Sequence, residues 1–168
     1  MTGTLLSPRL RELRSADRGR IAEIVRAVGV FRDEEIQIAL EVFDASCRPF
    51  QTDYHTLGAE LDGRLAGWIC WGATPCTVGT VDLYWMAVDP EVQGTGVGTA
   101  LVGEMERRLA GHARLVSIDT SGRESYAPTR RFYEARGYRP VAVVPDFYAP
   151  GDAQVIFTKT LPAASYPH

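Results

Sequence analysis

"VDPEVQGTGVGTALVGEMERRLAG", residues Val88–Gly111, sets three alternating glycines (94, 96 and 98) between two apolar runs of different period. The run before it, "GTVDLYWMAVDP" (Gly79–Pro90), is apolar on both faces and predicts a central strand. After it, apolar residues recur at helical spacing from Val97 to Ala110. A plain strand–helix turn uses one glycine. Three in alternation let the backbone turn tightly and let a ligand approach its N–H groups closely. The first four N–H groups of a helix lack intrahelical partners, and the macrodipole adds partial positive charge there. The pattern predicts an anion site, best matched to phosphates.

Outward from this junction the punctuation is regular. Upstream, Leu10–Leu13 predicts a short strand. Ser15 or Asp17 is placed to cap a helix carrying Ile21, Ile24, Val25 and Val28, and Gly29 ends it. A second helix, Asp33–Ala45, is expected to bury Ile36, Ile38, Leu40 and Phe43. "TDYHTLGAELDGRLAGWICWG" reads as two strands joined at Asp62-Gly63, a strong hairpin signal. Downstream come a strand at Leu115–Thr120 and a helix over about Pro128–Arg136. Pro128 suits the first turn of that helix and Gly137 its left-handed cap. Val141–Val144 and Val155–Lys159 close the chain as strands, separated by a Pro/Gly-rich connection. The order is β-α-α-β-β-β-α-β-α-β-β, an α/β fold with a mixed sheet and helices on its faces.

Composition bounds the partners. The 168 residues suffice for one well-cored domain, with a core expected over about 8–161. At 45% hydrophobic and 23% charged, with a net charge of −3, nothing points to nucleic acid or an anionic membrane. The arginines at 9, 11, 14, 18 and 20 alternate with Leu10, Leu13, Ile21, Glu12 and Asp17. They read as a solvated face rather than a transit peptide. No apolar run reaches ~18 residues, and no secretory segment is visible, so the expected location is the cytoplasm. Cys47, Cys70 and Cys76 are odd in number and lack zinc-like spacing; they read as reduced, mostly buried thiols. His55, His112 and His168 are too scattered for a metal site.

Known phosphate loops narrow the choice. A Walker A loop needs Lys then Ser/Thr after its last glycine. Gly98–Gly103 is followed by Glu104-Met105, and Gly103 falls inside the helical pattern. A Rossmann loop needs a third glycine where Thr99 stands. Asp119 does lie about 20 residues on, but two helices and three strands precede the loop, whereas that fingerprint opens a βαβ unit. "VDPEVQGTGVG" instead resembles the signature of the GNAT superfamily of N-acetyltransferases, Q/R-x-x-G-x-G/A. Gln93, Gly96 and Gly98 stand at its defining positions, with Val88 and Pro90 at the flanking strand end. "TRRFYEARGY" resembles the family's second motif, a helix bearing a tyrosine and then a glycine-aromatic stop. The element order is similar too, over nearly the whole chain.

The resemblance implies a GNAT fold: a mixed, mostly antiparallel seven-stranded sheet flanked by about four helices. It implies acetyl-coenzyme A as cosubstrate, with its pyrophosphate on Gln93, Gly94, Thr95, Gly96, Val97, Gly98 and Thr99. The strand ending at Val88 should splay from the next, so that backbone groups of Met86, Ala87 and Val88 meet the pantetheine arm. Many members carry Asn seven residues before the helix tyrosine; here that position is Tyr126. The contact is then kept by its phenol or by Ser125, or is lost. Dimers are common in the family, which leaves a homodimer open.

Acetyl transfer to an amine needs a neutral amine, a stabilised carbonyl oxygen and a thiolate that leaves. An amine with pKa ~10.4 is neutral in about one part per thousand near pH 7.4, worth roughly 4 kcal/mol. A carboxylate base helps remove that proton. Asp119, at a strand end where members often place an acid, is the leading choice; a solvated carboxylate or turn former is the plain alternative. The Met86 N–H is placed to polarise the carbonyl. Tyr133 stands at the family's tyrosine position, as general acid or as half of a packing pair with Phe132. An acceptor pocket is expected from Phe31, Glu34, Glu35, Asp82, Tyr84, Asp146 and Tyr148, with Trp85 and Phe147 beside them. An aromatic and acidic lining suits a small cationic amine. A core role explains most of these aromatics equally well, and acids at 34 and 35 also suit a helix's first turn. The resulting reading is direct transfer to a primary amine in a ternary complex. A sensor module without efficient turnover, or a longer acyl group, stands as the alternative.

Overall fold

The computed structural model describes residues 7–162. Its elements are β1 (Arg9–Arg11), α1 (Arg18–Val28), α2 (Asp33–Ser46), β2 (His55–Leu61), β3 (Arg64–Ala73), β4 (Thr80–Val88), α3 (Val97–Leu109), β5 (Leu115–Ser121), α4 (Ala127–Glu134), β6 (Arg139–Ala149) and β7 (Asp152–Thr160). The seven strands form one sheet in the order β1-β2-β3-β4-β5-β7-β6. It is mostly antiparallel, with β4 and β5 parallel. This is the expected element order. Residues 7–72 with Trp85–Arg108 form one compact unit; Ala73–Tyr84 with residues 109–162 form a second.

In the first unit, α1 and α2 bury Ile21, Ile24, Val25, Leu40 and Phe43 against Leu65, Trp68, Cys70 and Ala87 of the strands. Phe43 and Trp68 meet edge to face at 6.1 Å. Each large apolar side chain buried this way contributes about 1.5–3 kcal/mol. Asp62 and Gly63, at φ 51° and 75°, make the two-residue turn of the β2–β3 hairpin. Helix α3 buries Val97, Leu101, Val102 and Met105. Its close approach requires Gly67: a Cβ there would lie 2.8 Å from Val97 Cγ1 and 3.1 Å from the Ala87 carbonyl oxygen.

In the second unit, the first half of β4 pairs with β5 from Thr80↔Leu115 to Leu83↔Ile118, and β5 pairs with β7 along its length. Tyr133, Tyr138 and Phe157 form an aromatic group, with centroids 5.8 and 6.3 Å from Tyr133. After α4, Gly137 takes φ 82° and the Tyr138 N–H returns to the Tyr133 carbonyl at 3.2 Å. This closes the helix in the left-handed manner expected of Gly137.

Four expectations are corrected. The first strand is Arg9–Arg11 rather than Leu10–Leu13, because Leu13 leaves the ladder to cover Gly58; a Cβ on Gly58 would lie 2.6 Å from Leu13 Cδ2. Asp17 does stand at the N-cap of α1, but neither its side chain nor that of Ser15 makes a cap bond to the helix. They lie in a 3-10 turn, where the Asp17 carboxylate accepts the Arg14 N–H and the Arg11 guanidinium. Ile38 is half exposed, while Ala39 takes the buried position on α2. The last two strands are much longer than Val141–Val144 and Val155–Lys159. The expected connection is instead a bulge at 145–148 and a tight turn at Pro150-Gly151.

Candidate active site

The glycine loop lies in the first unit. Asp89 follows β4 and accepts the Glu91 N–H at 3.0 Å, opening a 3-10 turn over Pro90–Val92. Gln93 is extended, and Gly94 and Gly96 take φ 82° and 93°. The Thr95 N–H and hydroxyl both donate to the Val92 carbonyl, at 3.3 and 2.6 Å. The Ala100 N–H bonds to the Gly96 carbonyl at 2.9 Å. Val97 and Gly98 precede that bond, in the turn where a helix ladder supplies no acceptor. A Cβ at Gly94 or Gly96 would meet no atom within 4 Å. Backbone conformation, and not crowding, requires glycine at both, and the space before them stays open. Residues 93–96 are exposed and lead into a helix start, where N–H groups without helical acceptors favour an anion.

Strand β4 continues past its β5 ladder. Among the described residues the pairing ends at Leu83↔Ile118, and Met86, Ala87 and Val88 lie beyond it. Ala87 is buried; Met86 and Val88 are half-buried.

The second unit carries a polar face. Asp82 is in register with Ser117, so Asp119, two residues on, points to the same side. Gln154 of β7 donates to Asp119 Oδ2 at 2.8 Å. Asp119 remains an exposed residue, yet partial desolvation pushes its carboxyl above the ordinary range; the Gln154 bond opposes this and the Asp82 charge adds to it. Tyr84 shares the face of Asp82 and is partly exposed.

Tyr133 is 4% exposed. Burial pushes its phenol well above the usual range, against the opposing charge of Arg136, so it stays protonated at neutral pH. Tyr126 is buried at the start of α4, with the Arg123 guanidinium 5.3 Å above its ring; Ser125 is exposed. The approach to α4 is tied by groups that the sequence reading missed. The Ser121 hydroxyl pairs with the buried Asp152 carboxylate, Arg123 lies 3.2 Å from Asp152, and Arg130 donates to the carbonyls of Ser121 and Arg123 at 2.7 and 2.9 Å. "SGRES" was their only local signal; the partners are 7 to 31 residues away.

The expected acceptor residues divide between the two units. Phe31 meets Trp85 edge-on at 5.4 Å in the first unit. Glu34 is exposed in the first turn of α2, and Glu35 accepts the Arg32 N–H at 2.8 Å and so closes that helix start. In the second unit, Asp146 takes φ 54° in the β6 bulge and accepts the Gly151 N–H at 2.7 Å. Phe147 and Tyr148 follow it, edge to face at 5.0 Å. His55 stacks on Trp71 at 5.7 Å, His112 is exposed, and His168 lies outside the described residues. Among the described residues, no group of three His, Cys, Asp or Glu could hold a metal ion. Nor is any described helix long and apolar enough to cross a membrane.

Comparison with known proteins decides what this loop belongs to. The acetyltransferase (GNAT) domain family matches residues 52–140, which span both the glycine loop and Tyr133. The chain belongs to the GNAT acetyltransferase family. An N-acetyltransferase of Methanocaldococcus jannaschii is 32% identical over 114 residues, 65% of this chain and 68% of that one. The L-2,4-diaminobutyric acid acetyltransferase of Nocardia farcinica is 32% identical over 116 residues, 63% of this chain and 59% of that enzyme. A GNAT-family structure from Desulfovibrio desulfuricans superposes with a TM-score of 0.86 at 37% identity, covering 92% of this chain and 99% of that one. A Salmonella typhimurium structure shares the fold with a TM-score of 0.73 at 20% identity, covering 97% and 99%, and was solved with acetyl-CoA. This GNAT chain is therefore an acyltransferase, and acetyl-CoA is its cosubstrate.

Proposed function

We propose that the protein transfers the acetyl group of acetyl-CoA to the primary amine of a small cationic acceptor, by direct attack in a ternary complex. The observation that carries the reading is the backbone of Gly94 and Gly96, held at φ 82° and 93° before α3 with open space in front. In this reading the N–H groups of Gly94 and of Gly96, Val97, Gly98 and Thr99 bind pyrophosphate, with Gln93 and Thr95 shaping the loop through their own backbone bonds, and the backbone of Met86, Ala87 and Val88 binds the pantetheine arm. Its extension past the β5 ladder supports that role. The cosubstrate supplies an activated acetyl thioester. The Met86 N–H polarises its carbonyl. Asp119 takes the proton from the acceptor ammonium, and its raised carboxyl suits a base working nearer neutrality. Tyr133 donates a hydrogen bond to the leaving sulfur that strengthens as thiolate charge grows and carries its proton across; burial keeps the phenol protonated for that role and also makes it a weaker acid. Tyr126 or Ser125 stands in for the family's asparagine contact.

Direct attack is favoured over an acyl-enzyme. Burial pushes the Cys70 thiol up to about 12, so it offers no thiolate at neutral pH. Asp82, Tyr84, Asp146 and Tyr148 of the second unit, and Phe31 and Glu34 of the first, are the acceptor-binding candidates, with Glu35 committed to its helix. The name of the Nocardia relative, an enzyme for a diamino acid, supports a small cationic acceptor. Three free cysteines among the described residues, one of them exposed, suit the reducing cytoplasm. The test is a screen of amines with acetyl-CoA, read by free-thiol release. At least one small diamine or diamino acid should release thiol in step with acetylated product. Thiol release that no amine accelerates would overturn the reading.

A further inference from the structure

The start of the glycine loop is tied to a residue far away in the sequence. Arg20, in the first turn of α1, reaches three groups: its Nη1 donates to the exposed Glu23 carboxylate at 2.9 Å, and the other two lie at the sheet. Its Nε donates to the Leu65 carbonyl of β3 at 3.0 Å, and its Nη2 pairs with the Asp89 carboxylate, 69 residues on. Asp89 is 6% exposed. Its own N–H bonds to the Ala66 carbonyl at 2.8 Å, next along β3. Two adjacent carbonyls of one strand therefore hold the donor and the acceptor of the ion pair. Burial pushes the Asp89 carboxyl up, but the Glu91 N–H and the Arg20 guanidinium outweigh it and hold the group ionised.

From Asp89 the connection runs forward without a break. Asp89 Oδ1 receives the Glu91 N–H and opens the 3-10 turn. The Val92 carbonyl at the end of that turn receives both Thr95 donors. Gly96 follows, and its carbonyl receives the first helical bond from Ala100. Between Asp89 and α3 the loop holds its shape by these few short-range bonds, and Gly94 and Gly96 contribute no side-chain packing. Its direction is set where it leaves β4.

We propose that Arg20 is a positioning residue for cofactor binding: through Asp89 it pre-organises the Gln93–Gly98 loop for pyrophosphate. The inference rests on the loop being the pyrophosphate site. Without the guanidinium the buried carboxylate must turn toward water, taking the Glu91 bond and the 3-10 turn with it. The loop then pays the ordering cost on binding that the ion pair normally removes beforehand. Lysine keeps the charge but cannot span both the Leu65 carbonyl and Asp89 in the planar fork that arginine offers.

The test is calorimetric titration of coenzyme A into folded Arg20→Met, Arg20→Lys and Asp89→Asn variants, and into the Arg20→Met/Asp89→Asn double variant. Arg20→Met should weaken binding about tenfold or more, with Arg20→Lys in between. In the Asp89→Asn background the further effect of Arg20→Met should shrink to about twofold, because no buried charge is left uncompensated. Steady-state rates should show a raised KM for acetyl-CoA, with kcat at saturation and the KM of the amine within about twofold. A lower Tm with unchanged coenzyme A affinity in Arg20→Met would overturn the proposal. Should that variant not fold, Arg20→Lys and Asp89→Asn decide: affinities within twofold of wild type in both overturn it. Wild-type protein that fails to bind coenzyme A would instead refute the assignment of the loop.

Discussion

At Gly94 and Gly96 the chain offers bare backbone; at Asp119 it offers a carboxylate whose character is made by its neighbours. The loop's conformation is written into glycines two residues apart and into a 3-10 turn opened by the residue just before it. Asp119 owes its raised carboxyl to partial desolvation and to Asp82 on another strand, and its orientation to Gln154, 35 residues later. One region works by what side chains are missing, the other by which side chains the sheet register brings side by side. Substitutions should therefore act on the loop through conformation and on the polar face through charge and protons.

The largest effect is expected at Tyr133. Phenylalanine keeps the ring contacts with Tyr138 and Phe157 and removes only the donated proton. General-acid catalysis is worth 10²–10⁴-fold, and a coenzyme A thiolate leaves fairly well unaided, so the expected loss is about 100-fold. Single-turnover acetyl transfer measures it, with cofactor affinity and Tm held as controls. A rate within about threefold of wild type would reduce Tyr133 to a packing residue and place the proton source elsewhere on the polar face.

Next comes Gly96→Val. A β-branched residue at φ 93° carries strain of about 1–3 kcal/mol, so coenzyme A affinity should fall roughly 5- to 150-fold. Without ligand the exposed loop relaxes out of that conformation, and the added methyls meet no atom of the chain, so the cost falls on binding and Tm should move little. Titration gives the first quantity and thermal melting the second. Retained affinity would show that the loop does not act through its backbone.

Asp119→Asn should lower turnover about tenfold near pH 7, with the deficit shrinking toward pH 9 as the amine deprotonates by itself. A pH–rate profile parallel to wild type would shift the base to Glu34 or a water chain. The same substitution should raise stability slightly at neutral pH. A folded-state pKa above the unfolded one means the ionised carboxylate is disfavoured in the fold, and stability is lost as pH rises through that raised value. Thermal melts at pH 7 compare the two proteins.

The smallest effect separates the neighbours of Asp119. Asp82→Asn removes a negative charge and should move the acid limb of the pH–rate profile down. Gln154→Leu removes a donor to the carboxylate and should move it up. Shifts of the same sign in both variants would mean that the limb belongs to another group.

Local chemistry made much of this molecule readable from its residues. Asp62-Gly63 needed only its own φ preferences to make a hairpin, and Gly137 only its missing Cβ to end α4. The glycine loop was legible for the same reason: left-handed backbone and open donors are properties of a few consecutive residues. The periods of α1 and α2 named Ile21, Ile24, Val25, Leu40 and Phe43 of the core, although Ile38 shows that period alone does not choose between adjacent apolar positions. Tertiary structure decided whatever depends on register or on distance along the chain. Leu13 left its strand to cover Gly58, and β6 ran on through a bulge that no hydrophobic pattern marks. Gln154 met Asp119, Ser121 met Asp152, and Arg20 reached Asp89. Each of those pairings joins polar residues 31 to 69 positions apart. A polar side chain in an isolated stretch reads the same whether it ends in water or on a buried partner, and only the packed strands supply the partner.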